Sequence, residues 1–390
     1  MNIMNSSLKL KTENVRTLII KKRRVIPFFN YSEVFSSSEE ELVEVFRNVL
    51  RRGAFIQQSD LLEFEENLAK FLGVKYAFGV ANCTDGLIIA MKAIGIKTGD
   101  EVIFPSHTFV ASAASIYFSG GIPVPVECGS DHLMDPAKIE MAITSNTRAI
   151  LPVQLNGRTC DMEAIQKIAD QHGLKIIEDS AQALGSKFKN RSAGSFGDVA
   201  AFSFYPAKTL GCFGDGGAVV TNDGEIAKKI LALRDHGRDE FGEVMGWGLN
   251  SRLDNLQAAI LNFNFKLYEK AISRRREIAR LYNKCLNDLP DIKLPPAPDG
   301  DAEHFDIYQN YEVESSRRED LREYLDQAGV KTLLQWGGKA VHQFENLGLD
   351  FKLPATEKIL RRSFLLPINT MITDDDVKYI CDKIREFYHH

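Results

Sequence analysis

Between residues 60 and 235 the chain alternates short apolar runs with helical stretches, and no other feature constrains its fold as strongly. The runs are Ala77–Val80, Glu101–Phe104, Ile122–Val126, Ala149–Val153, Lys175–Glu178, Val199–Phe204 and Gly217–Thr221. Strands separated by helical stretches belong to crossover units, so the pattern predicts an α/β fold, a mainly parallel sheet flanked by helices. Ser36 to Arg52 reads as a helix, capped by Ser36-Ser37-Ser38 with acids in its first turn. Asn255 to Leu286 is a long helical region with apolar residues spaced for burial on one side. It leads past Pro290–Pro298, a proline-rich loop, into a mixed region. There Tyr308–Val313 and Lys331–Leu334 read as strands, and Arg318–Ala328 and Asp374–Tyr388 as helices. The expected organisation is a basic arm (1–25), a large domain (26–265) and a smaller α+β domain (266–390).

Composition narrows the class. At 390 residues, with 44% hydrophobic and 26% charged, the chain can bury a large core and a second, smaller one. A net charge of −5 argues against nucleic acid as a partner. No apolar run is long enough to span a bilayer, and no secretory signal is recognisable. The six cysteines are scattered without CxxC pairs, which suits a reducing cytoplasm. Lys21-Lys22-Arg23-Arg24 reads as a solvated arm. His107, His236 and His342 lack metal-ligand spacing, so no metal is expected.

Three motifs carry chemistry. Lys208 ends the segment Phe202-Ser203-Phe204-Tyr205-Pro206-Ala207-Lys208, and the glycine-rich run Gly211–Gly217 follows. A lysine placed at such a loop suits Schiff-base chemistry when a pocket desolvates its amine; a surface charge is the plainer alternative. The second motif, Leu174 to Ala183, reads as a buried strand ending in Glu178 and Asp179. Acids at that edge of an open α/β sheet either meet a ligand or cap the next element. A pyridoxal 5′-phosphate enzyme needs a carboxylate there, against the ring nitrogen. In the third motif a strand at Lys75–Asn82, a turn at Cys83–Gly86 and a helix at Leu87–Ile94 offer backbone N–H groups to an anion. An ordinary N-cap would look the same.

Together with further motifs, these residues resemble one family. The chain looks like a DegT-type (DegT/DnrJ/StrS) nucleotide-sugar aminotransferase, a fold type I pyridoxal phosphate enzyme. The resemblance runs from about Ile26 to the C-terminus. It includes Gly53-Ala54-Phe55-Ile56, Pro105-Ser106-His107-Thr108-Phe109-Val110-Ala111-Ser112, Pro152-Val153-Gln154-Leu155-Asn156-Gly157 and Gly248-Leu249-Asn250-Ser251-Arg252. It implies a seven-stranded sheet and a smaller C-terminal domain. It also implies a Schiff base at Lys208, Asp179 on the pyridine nitrogen, Gln182 near the phenolic oxygen and Phe109 against the ring face. Thr84, Asp85 and Ser203 would hold the phosphate. Asn250 would reach the phosphate of a neighbouring subunit, giving a homodimer with shared sites. Arg252 and His342 are the candidate substrate contacts.

The implied reaction moves an amino group from L-glutamate, through the pyridoxamine 5′-phosphate form, to a nucleotide-linked ketosugar. Its product would be an amino sugar for lipopolysaccharide, O-antigen or another glycan. Some positions depart from the pattern. Cys83 stands where a glycine is usual, Gln154 replaces a frequent histidine and Asn156 a frequent aromatic. Competing readings are a pyridoxamine-dependent sugar dehydratase, which has histidine at the Schiff-base position, an amino-acid lyase or decarboxylase, and a non-catalytic regulatory relative. Lys208 argues for transamination.

Overall fold

The structure, a computed structural model, describes residues 24–389. The expected basic arm lies outside the described residues except for its last two positions. All seven expected strands form one sheet: β1 (Tyr76–Val80), β2 (Glu101–Pro105), β3 (Ile122–Val126), β4 (Thr147–Ile150) and β5 (Lys175–Asp179) come first. A short hairpin of β6 (Lys187–Phe188) and β7 (Arg191–Ser192) follows, then β8 (Val199–Ser203) and β9 (Gly217–Thr221) complete the sheet. The order across it is β1-β9-β8-β5-β4-β2-β3. Only β9 runs against its neighbours; β2, β3, β4, β5 and β8 pair in parallel. The sheet is therefore mainly parallel, and helices cover both faces with separate apolar cores.

The C-terminal ends of β1, β2, β5 and β8 open on one edge. Val80 and Ser203 both pair with Gly217 there, which levels the turn after β1 with the loop after β8. Gly217 is required by space. A Cβ at this residue would lie 2.6 Å from the backbone carbon of Asn82 and 2.8 Å from the Cys83 nitrogen, closer than packed atoms come.

The smaller lobe holds β10 (Ile292–Lys293), β12 (Tyr311–Ser315) and β13 (Ser363–Leu366) in an antiparallel sheet. Helices Arg318–Gln327 and Asp374–His389 pack on it. The intervening β11 (His304–Phe305) leaves this lobe and pairs with β6 of the larger one. Ile26 bridges to Val330 and packs in the smaller lobe's core.

Four local expectations are corrected. The helical region Asn255–Leu286 is two helices, Asn255–Phe265 and Tyr268–Leu286. The break lets Tyr268 and Ile272 pack in the larger lobe while Ile278, Tyr282 and Leu286 fill the smaller one. The helix expected from Ser36 begins at Glu39, because Ser36 closes a separate short helix, Tyr31–Ser36. Ladder pairing in β4 stops at Ile150, and beyond it only Val153 bridges, to Asp179. Lys331–Leu334 forms no strand; Leu333 alone bridges to Leu365. No helix among the described residues is long and apolar enough to cross a membrane.

Candidate active site

The ends of β1, β5 and β8 converge on a cavity of about 590 Å³ that also takes its walls from the smaller lobe. Asp179, the last residue of β5, is 5% exposed and faces this space. Ser112, on the helix Val110–Phe118, donates its hydroxyl to Asp179 Oδ2 at 2.7 Å, and the Ala181 N–H donates to Oδ1 at 3.2 Å. Burial pushes the carboxyl above its ordinary range, and these two donors and the Lys208 charge pull it back. The preceding Glu178 does different work. Its carboxylate accepts from the N–H groups of Gly194, Phe196 and Gly197 and from Gln154 Nε2, at 2.7–2.8 Å. It anchors the loop before β8.

Lys208 lies five residues beyond β8, where a tight turn closes with its own N–H donating to the Tyr205 carbonyl at 2.8 Å. Desolvation lowers the amine below the usual lysine value, while Cys83 and Asp179 act in the opposite sense. The smaller lobe fixes the loop. Gln309 accepts at Oε1 from the N–H and hydroxyl of Thr209, both at 2.7 Å, and its Nε2 donates to the Ala207 carbonyl at 2.8 Å.

At the other end of the cavity, the helix Cys83–Ile94 points its N-terminus inward. Its cap is Asn82, whose side chain accepts from the Asp85 N–H at 2.8 Å. Asp85, an expected phosphate residue, spends its N–H on the cap and does not line the cavity. The N–H groups of Cys83 and Thr84 precede the first intrahelical bond and carry the helix dipole's positive end. Thr84 and Ser203 line the cavity, as does Cys83. Burial first, then Asp179, pushes the Cys83 thiol well up, so it is neutral beside the charged groups.

Phe109 is half exposed and lines the cavity. Gln182 accepts at Oε1 from the Asn156 N–H at 2.8 Å and from Asn310 Nδ2 at 3.2 Å, which leaves its NH₂ to donate. Asn156 holds the left-handed region at φ +56° and is the centre of this polar wall. It also bonds Glu312, Asn310 and Gln335. Trp336 and Gln335 complete the wall.

Three expected residues lie elsewhere. His342 is buried against Ser106 Oγ (2.7 Å) and Glu357 (3.4 Å) and does not line the cavity. Arg252 forks between Asp235 (2.8 Å) and Asn250 (2.6 Å), so within its own chain its cation is already paired. Asn250 is exposed and outside its own chain's cavity. Conversely, Asn82, Ser112, Gln309 and Asn310 were not singled out as site residues. Ser112 closes a motif noted in the sequence, and its spacing of three from Phe109 was the available signal.

One cavity thus joins a desolvated lysine, a hydrogen-bonded buried carboxylate and a helix N-terminus at the edge of a doubly wound sheet. The chain belongs to the DegT/DnrJ/EryC1/StrS aminotransferase family, whose model matches residues 36–385. It is 38% identical to a dTDP-3-amino-3,4,6-trideoxy-alpha-D-glucose transaminase of Streptomyces venezuelae over 93% of this chain and 96% of the relative. It is 35% identical to a UDP-2-acetamido-2-deoxy-3-oxo-D-glucuronate aminotransferase of Pseudomonas aeruginosa, over 92% and 99%. Among solved structures, S. venezuelae DesV in complex with a ketimine intermediate superposes with a TM-score of 0.90 at 37% identity, over 94% and 99% of the two chains. Bacillus subtilis ntda with bound cofactor PMP gives 0.87 at 28%, over 94% and 86%.

Proposed function

We propose that this protein transfers an amino group from L-glutamate to a keto group on a nucleotide-linked sugar, using pyridoxal 5′-phosphate. The observation that carries the reading is the pairing of Lys208 and Asp179 in one cavity, with burial holding the lysine amine below its ordinary range. The donor set fits the cofactor: an amine for its aldehyde, a carboxylate for its ring nitrogen, and a helix N-terminus with the Thr84 and Ser203 hydroxyls for its phosphate.

When bound, pyridoxal phosphate supplies the electron sink and the amino carrier. Asp179, oriented by Ser112, would keep the ring nitrogen protonated. Phe109 would cover one ring face, and the Gln182 NH₂ would donate to the phenolic oxygen. Released by the amino donor, the Lys208 Nζ would carry the proton between the substrate carbon and the cofactor. One cavity and one lysine serve both halves, so kinetics should be ping-pong. A dehydratase would need its lysine replaced.

The active form is a homodimer with shared sites. Phe241, Met245 and Trp247 stand 82%, 72% and 99% exposed on the loop that leads to Asn250. A contiguous apolar loop of this kind is expected to be covered by a partner. Asn250 would then complete the neighbour's phosphate site.

A panel of dTDP-, UDP- and GDP-linked ketosugars, incubated with glutamate and the cofactor, tests the reading. Product mass should rise by the keto-to-amino exchange for at least one sugar class. No amination of any ketosugar, with transamination of plain keto acids instead, would contradict it.

A further inference from the structure

We infer that the protein binds a divalent transition metal, zinc by its ligand chemistry, at a buried site formed by His107, His132 and Glu312, behind the polar wall of the active-site cavity. The three residues come from separate segments: the loop after β2, the turn after β3, and β12 of the smaller lobe. Their ligand atoms all lie within 4.8 Å of one another, and all three residues are buried. His107 Nε2 is 3.4 Å from Glu312 Oε1, and His132 Nδ1 is 2.7 Å from Glu312 Oε2. With zinc bonds of about 2.1 Å, ligand atoms of a tetrahedral site stand about 3.4 Å apart. Small side-chain rotations close the longest edge. Two imidazoles and one carboxylate are an established zinc donor set.

Two further observations point to a ligand rather than to a simple ion pair. His107 is fully buried, and its ring nitrogens find only loose partners: Nε2 comes no closer than 3.4 Å to Glu312 Oε1, the Cys128 thiol lies beside the ring, and neither nitrogen makes a well-formed hydrogen bond among the described residues. A buried imidazole held only by such loose contacts has a ring nitrogen to offer a metal. The second observation is the support behind the ligands. His132 Nε2 lies 3.0 Å from Glu314 Oε1, and Lys293 donates to that same oxygen at 2.7 Å. A carboxylate on the far nitrogen of a metal-binding histidine fixes the ring and raises its basicity. Asn156 Nδ2 likewise donates to Glu312 Oε2 at 2.7 Å.

Three protein ligands leave a fourth position, which water can fill from an adjoining cavity of about 270 Å³ lined by His132, Asn156 and Glu312. The metal would tie the two lobes together. It would also set the wall: Glu312 holds Asn156, which holds Gln182, and His107 packs edge-on against Trp336 at 5.4 Å. This inference departs from the expectation of no metal. Spacing along the chain could not disclose the site, since Glu312 lies 180 residues from His132.

The test is metal content, independent of activity. The full-length protein is stripped with a chelator, dialysed, titrated with zinc and measured by inductively coupled plasma mass spectrometry. Cobalt substitution then reads the geometry through its visible ligand-field bands. The stripped chain should take up about one zinc per chain, and cobalt should give the intense bands of four-coordination. His132→Ala and Glu312→Gln, checked for folding by circular dichroism, should each weaken binding by more than about tenfold. If neither variant folds, the wild-type titration and cobalt spectrum decide alone. Failure of the wild-type chain to take up zinc would overturn the inference and leave an ionic His–Glu–His–Glu chain. Undiminished uptake by both folded variants would also overturn it, by placing the metal elsewhere.

Discussion

Burial moves the two central ionisable groups in opposite directions, Asp179 up and Lys208 down. Before cofactor binds, the folded chain therefore holds its lysine proton less tightly than the unfolded chain does. Between the depressed lysine value and the ordinary 10.5, the unfolded state binds more protons, so stability of the cofactor-free protein should rise with pH across that window. Lys208→Met should abolish this rise and increase the melting temperature at neutral pH. Melting curves against pH read both; an unchanged slope in the variant would place the titration elsewhere. Asp179→Asn should slow turnover about a thousandfold or more, whereas Ser112→Ala, which removes one hydrogen bond to the carboxylate, should cost roughly tenfold. Steady-state kinetics on both variants check the ranking, and equal losses would deny Ser112 its orienting role. Lys208 and Asp179 were placed at the sheet edge by their own short motifs, Gln182 and Phe109 only by the family resemblance, and all four line the cavity. His342 was not legible, because its partner Ser106 is 236 residues away. No local pattern records which polar group a histidine will meet across two lobes.

Among the elements, the loop carrying the lysine depends on the smaller lobe. Arg275 donates to the Tyr308 and Gln309 carbonyls at 2.9 and 3.0 Å, and Tyr308 takes up a left-handed conformation at φ +52°. That bend presents Gln309 to Thr209 and Ala207. Gln309→Ala deletes all three of these side-chain bonds and should lower stability by about 1–3 kcal/mol. Weaker cofactor retention in dialysis should accompany it, since the lysine loop loses its clamp. Full retention with unchanged melting would show that the turn at Tyr205–Lys208 holds itself. The seven strands were legible because each apolar run is bounded by turn residues and separated by helical sequence. The break at Lys266–Leu267 was not: apolar spacing continues through it, and only the division of the two helices between separate cores creates the bend.

For the whole molecule, the exposed loop around Trp247 and the placement of Asn250 outside its own cavity argue for an assembly. Lys208→Ala, and a variant with Asn250 and Arg252 both changed to alanine, should each be nearly inactive as homodimers. After confirmed subunit exchange, one site of each mixed dimer carries both defects and the other none, so part of the activity should return. No return would mean that Asn250 and Arg252 serve their own chain. Whether Lys208 holds the cofactor can be read from the covalent link itself. The protein is loaded with pyridoxal phosphate, reduced with borohydride, digested and mapped by mass spectrometry, with and without prior exposure to L-glutamate. The cofactor's mass should appear on the peptide carrying Lys208, and should be lost when glutamate has first converted the bound cofactor to the amine form. Label on another lysine, or none on a correctly folded chain, would contradict that assignment.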